Sequence, residues 1–273
     1  VHVPYCTGDV HSGTRSSTSS DTWHLYFDGQ LNVKRILADL IEKQGLGDAK
    51  HLLLTGGSAG GIGTFVNVDL VQATLPEADV KGAPNAGWFF PADPASPPAG
   101  CGYPVDWDDW VAHKPTAWDN TTAVLWQPQF SPDCVAHYAS QKLPAWYCGT
   151  IHNSYRWVKS PLFVIENMFD TNQIFAQMLA PVKPANASQE QLLRKYVAYY
   201  GGLMRDSTAQ VSAFGQRKPT KRGVKDGIFL SSCLEHGVDA NTQIGGTGWV
   251  AVVGDWAFER NTMKHLVVDT CAM

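Results

Sequence analysis

The stretch "HLLLTGGSAGGIGTFVNVD", His51 to Asp69, decides the reading of this chain. Its first residues, His51–Leu54, predict a buried strand, and the residues after Ser58 predict a helix. Between them runs Gly56-Gly57-Ser58-Ala59-Gly60, a G-x-S-x-G motif. A serine between glycines at such a junction occupies a turn so tight that its backbone is strained. Gly56, Gly60 and Gly61 are expected to give strand and helix room to approach each other. That geometry lifts the Ser58 oxygen clear of the sheet. It also aims the next N–H, that of Ala59, at the place where an oxyanion forms.

G-x-S-x-G between strand and helix is the nucleophile elbow of α/β-hydrolases. Two other readings compete with it. A glycine-rich turn before a helix can bind phosphate, but this loop lacks the G-K-[ST] ending of a P-loop. It also lacks the G-x-G-x-x-G spacing of a dinucleotide site. The other alternative is a tight turn with no chemistry.

A serine hydroxyl is a poor nucleophile without a base. In this kind of fold the acid and then the histidine follow the serine in the chain, each just after a strand end. Asp170 comes shortly after the strand-like "LFVIE", and His236 shortly after "IFL". Of the nine histidines, His2, His11, His24 and His51 precede Ser58, and His113, His137 and His152 precede Asp170. His265 lies in "MKHLVVD", read as a terminal strand, and is expected to be a structural or surface residue. His236 is therefore the expected base and Asp170 the expected acid. Asp206, Asp226, Asp239 and Asp255 lack a strong strand at the right spacing before them.

Outward from the elbow, strands alternate with helices. Val33, Ile36, Leu37, Leu40 and Ile41 fall on one face of a helix between Asp28 and Gly45. "VHVPY" at the start reads as a strand, as do "ADVKGAPN" ending near Asn85, residues 161–166 and about 227–231. Ser188 and Gln191 read as a capping box opening a helix. The pattern predicts an α/β fold, a mostly parallel sheet with helices on both faces, in a single domain over residues 1–273. An irregular insertion is expected at about 91–158, where proline, glycine and tryptophan are frequent.

The 273 residues suffice for a full core, and 44% hydrophobic with 17% charged residues is the composition of a globular protein. A net charge of -4 with no run of like charges gives no sign of a nucleic-acid partner, and no apolar run is long enough to span a bilayer. The six cysteines form no C-x-x-C pair, so a zinc site is not expected. Their even number and wide spacing point to disulfides and a secretory route, although six cysteines allow 15 pairings. Sequons at Asn120 and Asn186 are candidate glycosylation sites on the same route.

"TGGSAGGIGTFVNVD", "NAGWFF", "PLFVIENMFD", "SSCLEHGV" and "VGDWAFER" together resemble the pectin acetylesterases and the related Notum carboxylesterases. "YCTGDVHSG" at residues 5–13 resembles a loop of the same family, so the similarity runs at intervals through the whole chain. The resemblance implies a secreted serine esterase with Ser58 as nucleophile, Asp170 as orienting acid and His236 as base. The expected substrate is an acetyl ester of a polysaccharide such as pectin, outside the cell or in a cell wall. A lipid ester on a secreted protein is the alternative. No cofactor is expected. Trp88 is a candidate pocket wall.

One departure from the family pattern stands out. The glycine- and tryptophan-rich segment that supplies further oxyanion donors upstream of the elbow has no counterpart here. The expectation is that the chain lacks the N-terminal part of its domain, including a strand between "VHVPY" and "LLLT". Two rivals from other classes follow. An acyltransferase would use the same groups but pass the acyl to a sugar alcohol, and a binding protein of the same fold would have lost the reaction.

Overall fold

The computed structural model describes residues 1–90, 120–177, 184, 186–215 and 223–270. Five strands run parallel in one sheet: β1 (His51–Gly57), β2 (Asp79–Asn85), β3 (Phe163–Phe169), β4 (Gly227–Leu234) and β5 (Leu266–Val268). Their order in space is their order in the chain. The helices that concern the site are α1 (Gly29–Gln44), α2 (Ala59–Thr74), α3 (Asn120–Trp126), α4 (Pro132–Ser140), α5 (Ala187–Thr208) and α6 (Trp249–Ala257).

The strand period of two decides which side chain meets which helix. All seven residues of β3 are buried. Val164 and Met168 join Leu37 of α1, Val68 of α2 and Tyr200 of α5 in one core. Phe163 and Ile165 face the other way, toward Val252, Val253 and Trp256 of α6. The sheet therefore carries helices on both faces, which is why β3 and β4 carry the apolar runs Phe163–Ile165 and Ile228–Leu230.

Several sequence expectations need correction. Val1–Cys6 form no strand; all six residues are exposed, and Pro4 has no N–H to give to a ladder. Strand β1 is only half buried, because Leu53 is 42% exposed while Leu52 and Leu54 pack on the core of α1 and α2. Among the described residues β1 pairs with β2 alone, so it forms an edge. The strand expected at 161–166 lies at Phe163–Phe169, and the one at about 227–231 continues to Leu234. Ser188 opens no capping box: α5 is capped by Asn186, whose Oδ1 accepts the Gln189 N–H at 3.0 Å.

The helix expected between Asp28 and Gly45 is present. Helix α1 stops at Gly45, which takes the left-handed φ of 72°. Asp28 holds its N-cap position, although its carboxylate binds Asn32 and Arg35 instead of a backbone N–H. Residues 120–158 fold as short helices tied by a Cys134–Cys148 disulfide. The first part of the expected insertion, residues 91–119, lies outside the described residues, as do Cys101 and Cys271. Cys6 and Cys233 are free thiols. No helix among the described residues is long and apolar enough to cross a membrane.

Candidate active site

The elbow forms where β1 hands over to α2. Ser58 has φ 55° and ψ -117°, a conformation that L-residues rarely adopt. Two hydrogen bonds hold it there. Its N–H donates to the Asn85 carbonyl at the end of β2 (2.9 Å), and its carbonyl accepts the Ile62 N–H of α2 (3.0 Å). A Cβ on Gly56 would stand 2.5 Å from the Gly60 carbonyl oxygen, and one on Gly61 would stand 2.6 Å from the Asn85 carbonyl oxygen. Those two glycines are there for space. Gly60 is not: a Cβ there would meet nothing within 4 Å, which corrects its expected role. Ala59 opens α2, so its N–H is among the helix-start donors that lack an intrahelical partner.

Strand β3 delivers the acid. A register shift between Asn167 and Phe169 turns the strand end, and Asp170 follows it with no exposure. Asp170 Oδ1 accepts the Gln173 N–H at 2.8 Å, which fixes the carboxylate and leaves Oδ2 toward His236. The loop after β4 delivers the histidine. His236 Nδ1 lies 2.7 Å from Asp170 Oδ2, and His236 Nε2 lies 2.7 Å from Ser58 Oγ. A carboxylate accepts and does not donate, so facing Asp170 the Nδ1 of His236 is the donor and Nε2 is the acceptor for the Ser58 hydroxyl. Three side chains from three strand ends, singled out in the sequence by motif, chain order and preceding strands, thus form one chain of hydrogen bonds. His236 keeps 25% of its side chain exposed, which leaves the serine end open to a substrate.

Trp88 is not a pocket wall. It is fully buried; its backbone N–H donates to Glu166 Oε2 (2.8 Å) and its indole N–H to Ser207 Oγ (2.7 Å). Phe89 takes the place beside the histidine, edge-on to His236 with ring centroids 6.4 Å apart. It belongs to a packed cluster with Val10, Phe27, Ile62 and Trp126, against which Ala59 also packs. A cleft of about 280 Å³ between α2 and residues 129–158 lies elsewhere, and neither Ser58, Asp170 nor His236 lines it. His265 stands apart from the relay, with Nδ1 3.2 Å from the Asp226 carbonyl. Asn120 and Asn186 are both exposed.

Two acidic residues escaped the sequence reading. Glu166 is fully buried on β3; burial, then the Asp170 charge, push its carboxyl well above the usual range. A glutamate inside the apolar run "LFVIENMF" was the available signal. Asp9 is also fully buried and gathers the N–H groups of His11 (3.1 Å), Gly13 (3.1 Å) and Gly29 (2.8 Å), tying the loop before α1 into place. That loop meets the elbow helix where Asn67 Nδ2 donates to the His11 carbonyl (2.9 Å). Among the described residues no group of three or more His, Cys, Asp or Glu could hold a metal ion.

Comparison with known proteins follows the same lines. The palmitoleoyl-protein carboxylesterase NOTUM of Drosophila melanogaster is 30% identical over 250 residues, 87% of this chain and 31% of its own length. The notum1a enzyme of Danio rerio, of the same description, is 32% identical over 242 residues, 86% of this chain and 42% of its own. The chain thus spans less than half the length of these curated relatives. The crystal structure of the Wnt deacylase Notum from Drosophila superposes with a TM-score of 0.73 at 25% identity, covering 99% of this chain and 70% of that one. The pectinacetylesterase family model matches residues 1–273 from end to end, and the chain belongs to that family.

Proposed function

We propose that this chain is a serine carboxylesterase working through an acyl-enzyme. The observation that carries the proposal is the pair of 2.7 Å contacts joining Ser58 Oγ to His236 and His236 to Asp170. His236 Nε2 takes the Ser58 proton as Oγ attacks the ester carbonyl. Asp170 holds the imidazole tautomer and stabilises the imidazolium. The developing oxyanion meets the Ala59 N–H at the start of α2; one such donor is worth about 2.7–4 kcal/mol of barrier. His236 then protonates the leaving alcohol, and a water molecule repeats the cycle on the acyl-serine to release the acid.

The leading substrate is an acetyl ester on a polysaccharide such as pectin, in line with the family. The second reading, removal of a lipid acyl group from a secreted protein, is favoured by the names of the relatives. A place outside the cell or in a cell wall is supported by the Cys134–Cys148 disulfide.

The test is acetate release from acetylated pectin by the purified chain and by Ser58→Ala, beside release of palmitoleate from an O-acylated serine peptide. Acetate release lost in the variant is the expected result. Release of palmitoleate alone would replace the substrate and keep the chemistry. No serine-dependent turnover of either ester would refute the proposal.

A further inference from the structure

The base of the relay stands on a loop, and a loop needs something to hold it to better than an ångström. We propose that Asn85 and Asn167 are positioning residues that grip the backbone around His236 and set where its Nε2 meets Ser58. This rests on the esterase reading above and adds the groups that keep its geometry.

Asn167 is fully buried on β3. Its Nδ2 donates to two carbonyls, those of Glu235 (3.0 Å) and Gly237 (2.9 Å), the residues on either side of His236. Both partners are acceptors, so the amide nitrogen must face them. Its Oδ1 is turned away and accepts the Ser231 hydroxyl on β4. Asn85, the last residue of β2, makes a two-point contact one residue further on. Its Nδ2 donates to the Val238 carbonyl (3.0 Å), and its Oδ1 accepts the Val238 N–H (2.9 Å).

Asn85 has a second attachment. Its own carbonyl accepts the Ser58 N–H at 2.9 Å. One residue therefore holds the nucleophile through its backbone and the base loop through its side chain. The spacing between Ser58 and His236 is fixed by a rigid strand end instead of by loop stiffness. Four side-chain hydrogen bonds reach the segment Glu235–Val238 from two neighbouring strands. Such multiple attachment is what keeps a catalytic group within the narrow tolerance that proximity effects require. The chemistry demands an amide: a carboxylate can accept from the Val238 N–H but cannot donate to a carbonyl.

The test compares Asn85→Asp, Asn167→Ala and a control, Asn153→Asp, with the unmodified chain. Asn153 Nδ2 also donates to a backbone carbonyl, that of Tyr147 (3.2 Å), so the control loses the same kind of bond away from the relay. Covalent labelling by a fluorophosphonate is followed as its saturable constants KI and kinact, with thermal unfolding measured beside it. Asn85 is partly exposed, so Asn85→Asp stays informative if the buried Asn167 variant does not fold. The expected result is a kinact lowered about 10- to 100-fold in Asn85→Asp at unchanged KI, with the control labelled at the unmodified rate. A kinact for Asn85→Asp within twofold of the unmodified chain would overturn the grip and leave the esterase reading intact. An equal loss in Asn153→Asp would overturn it too, because the effect would then follow general stability. Failure of the unmodified chain to label at all would overturn the esterase reading and this proposal with it.

Discussion

Gly61→Ala tests how the elbow is built, because its cost can be worked from the backbone. The new Cβ would stand 2.6 Å from the Asn85 carbonyl oxygen and 2.8 Å from the Gly87 Cα, where ordinary contacts begin at 3.4 Å. Both obstacles are main chain, so no side chain can swing aside. Helix α2 and the turn after β2 must part by about 0.8 Å. The Asn85 carbonyl that would be pushed is the one that holds the Ser58 N–H. Overpacking of this kind costs about 1–3 kcal/mol, or a fall in Tm of about 3–10 °C. A shift approaching 1 Å between nucleophile and base lowers the rate by about 100-fold. Gly60→Ala is the matched opposite: its Cβ meets nothing within 4 Å, and alanine favours a helix over glycine by up to about 1 kcal/mol. Thermal unfolding and fluorophosphonate labelling of both variants provide the comparison. Equal stability losses in the two, or a Gly61→Ala chain as stable and reactive as the unmodified one, would refute this account of the elbow.

Other predictions follow from buried polar groups and the cross-link. Because Glu166 titrates well above its usual range, the folded chain holds a proton that the unfolded chain has lost above about pH 4.3. Stability should therefore fall as pH rises above that value, and Glu166→Gln should flatten the decline in Tm; parallel curves would disprove it. Asp9→Ala leaves the N–H groups of Gly13 and Gly29 without their acceptor and should cost about 2–4 kcal/mol in urea unfolding, whereas a loss under about 0.5 kcal/mol would contradict the anchoring role. Replacing Cys134 and Cys148 by serine opens a loop whose ends are 14 residues apart and should cost about 3 kcal/mol, read as a lowered Tm; an unchanged Tm would contradict it.

The relay was legible in the sequence because each of its members has a local signature. Ser58 is marked by its glycines, and Asp170 and His236 by the strands that precede them. The alternation of strands and helices was legible for the same reason, since burial on both faces leaves apolar runs. What was hidden depends on distant contacts. Asn85 meets Val238 from 153 positions away, and Asn167 meets Glu235 and Gly237 from 68 and 70, with no periodicity to announce either. Trp88 looked like a pocket residue because it follows a strand end, but it is fully buried, with its indole N–H held by Ser207. "VHVPY" alternates like a strand, yet alternation describes only one chain, and a strand also needs a neighbour. Gly60 looked like its fellow glycines in the motif; only the backbone distances separate it from them.

The central claim is that Ser58, His236 and Asp170 make an activated nucleophile in this chain. Intact-mass analysis after treatment with a fluorophosphonate tests it without knowledge of the natural ester. The account predicts one adduct per chain, absent in Ser58→Ala. A chain that gains no adduct, or one that Ser58→Ala still forms, would contradict it.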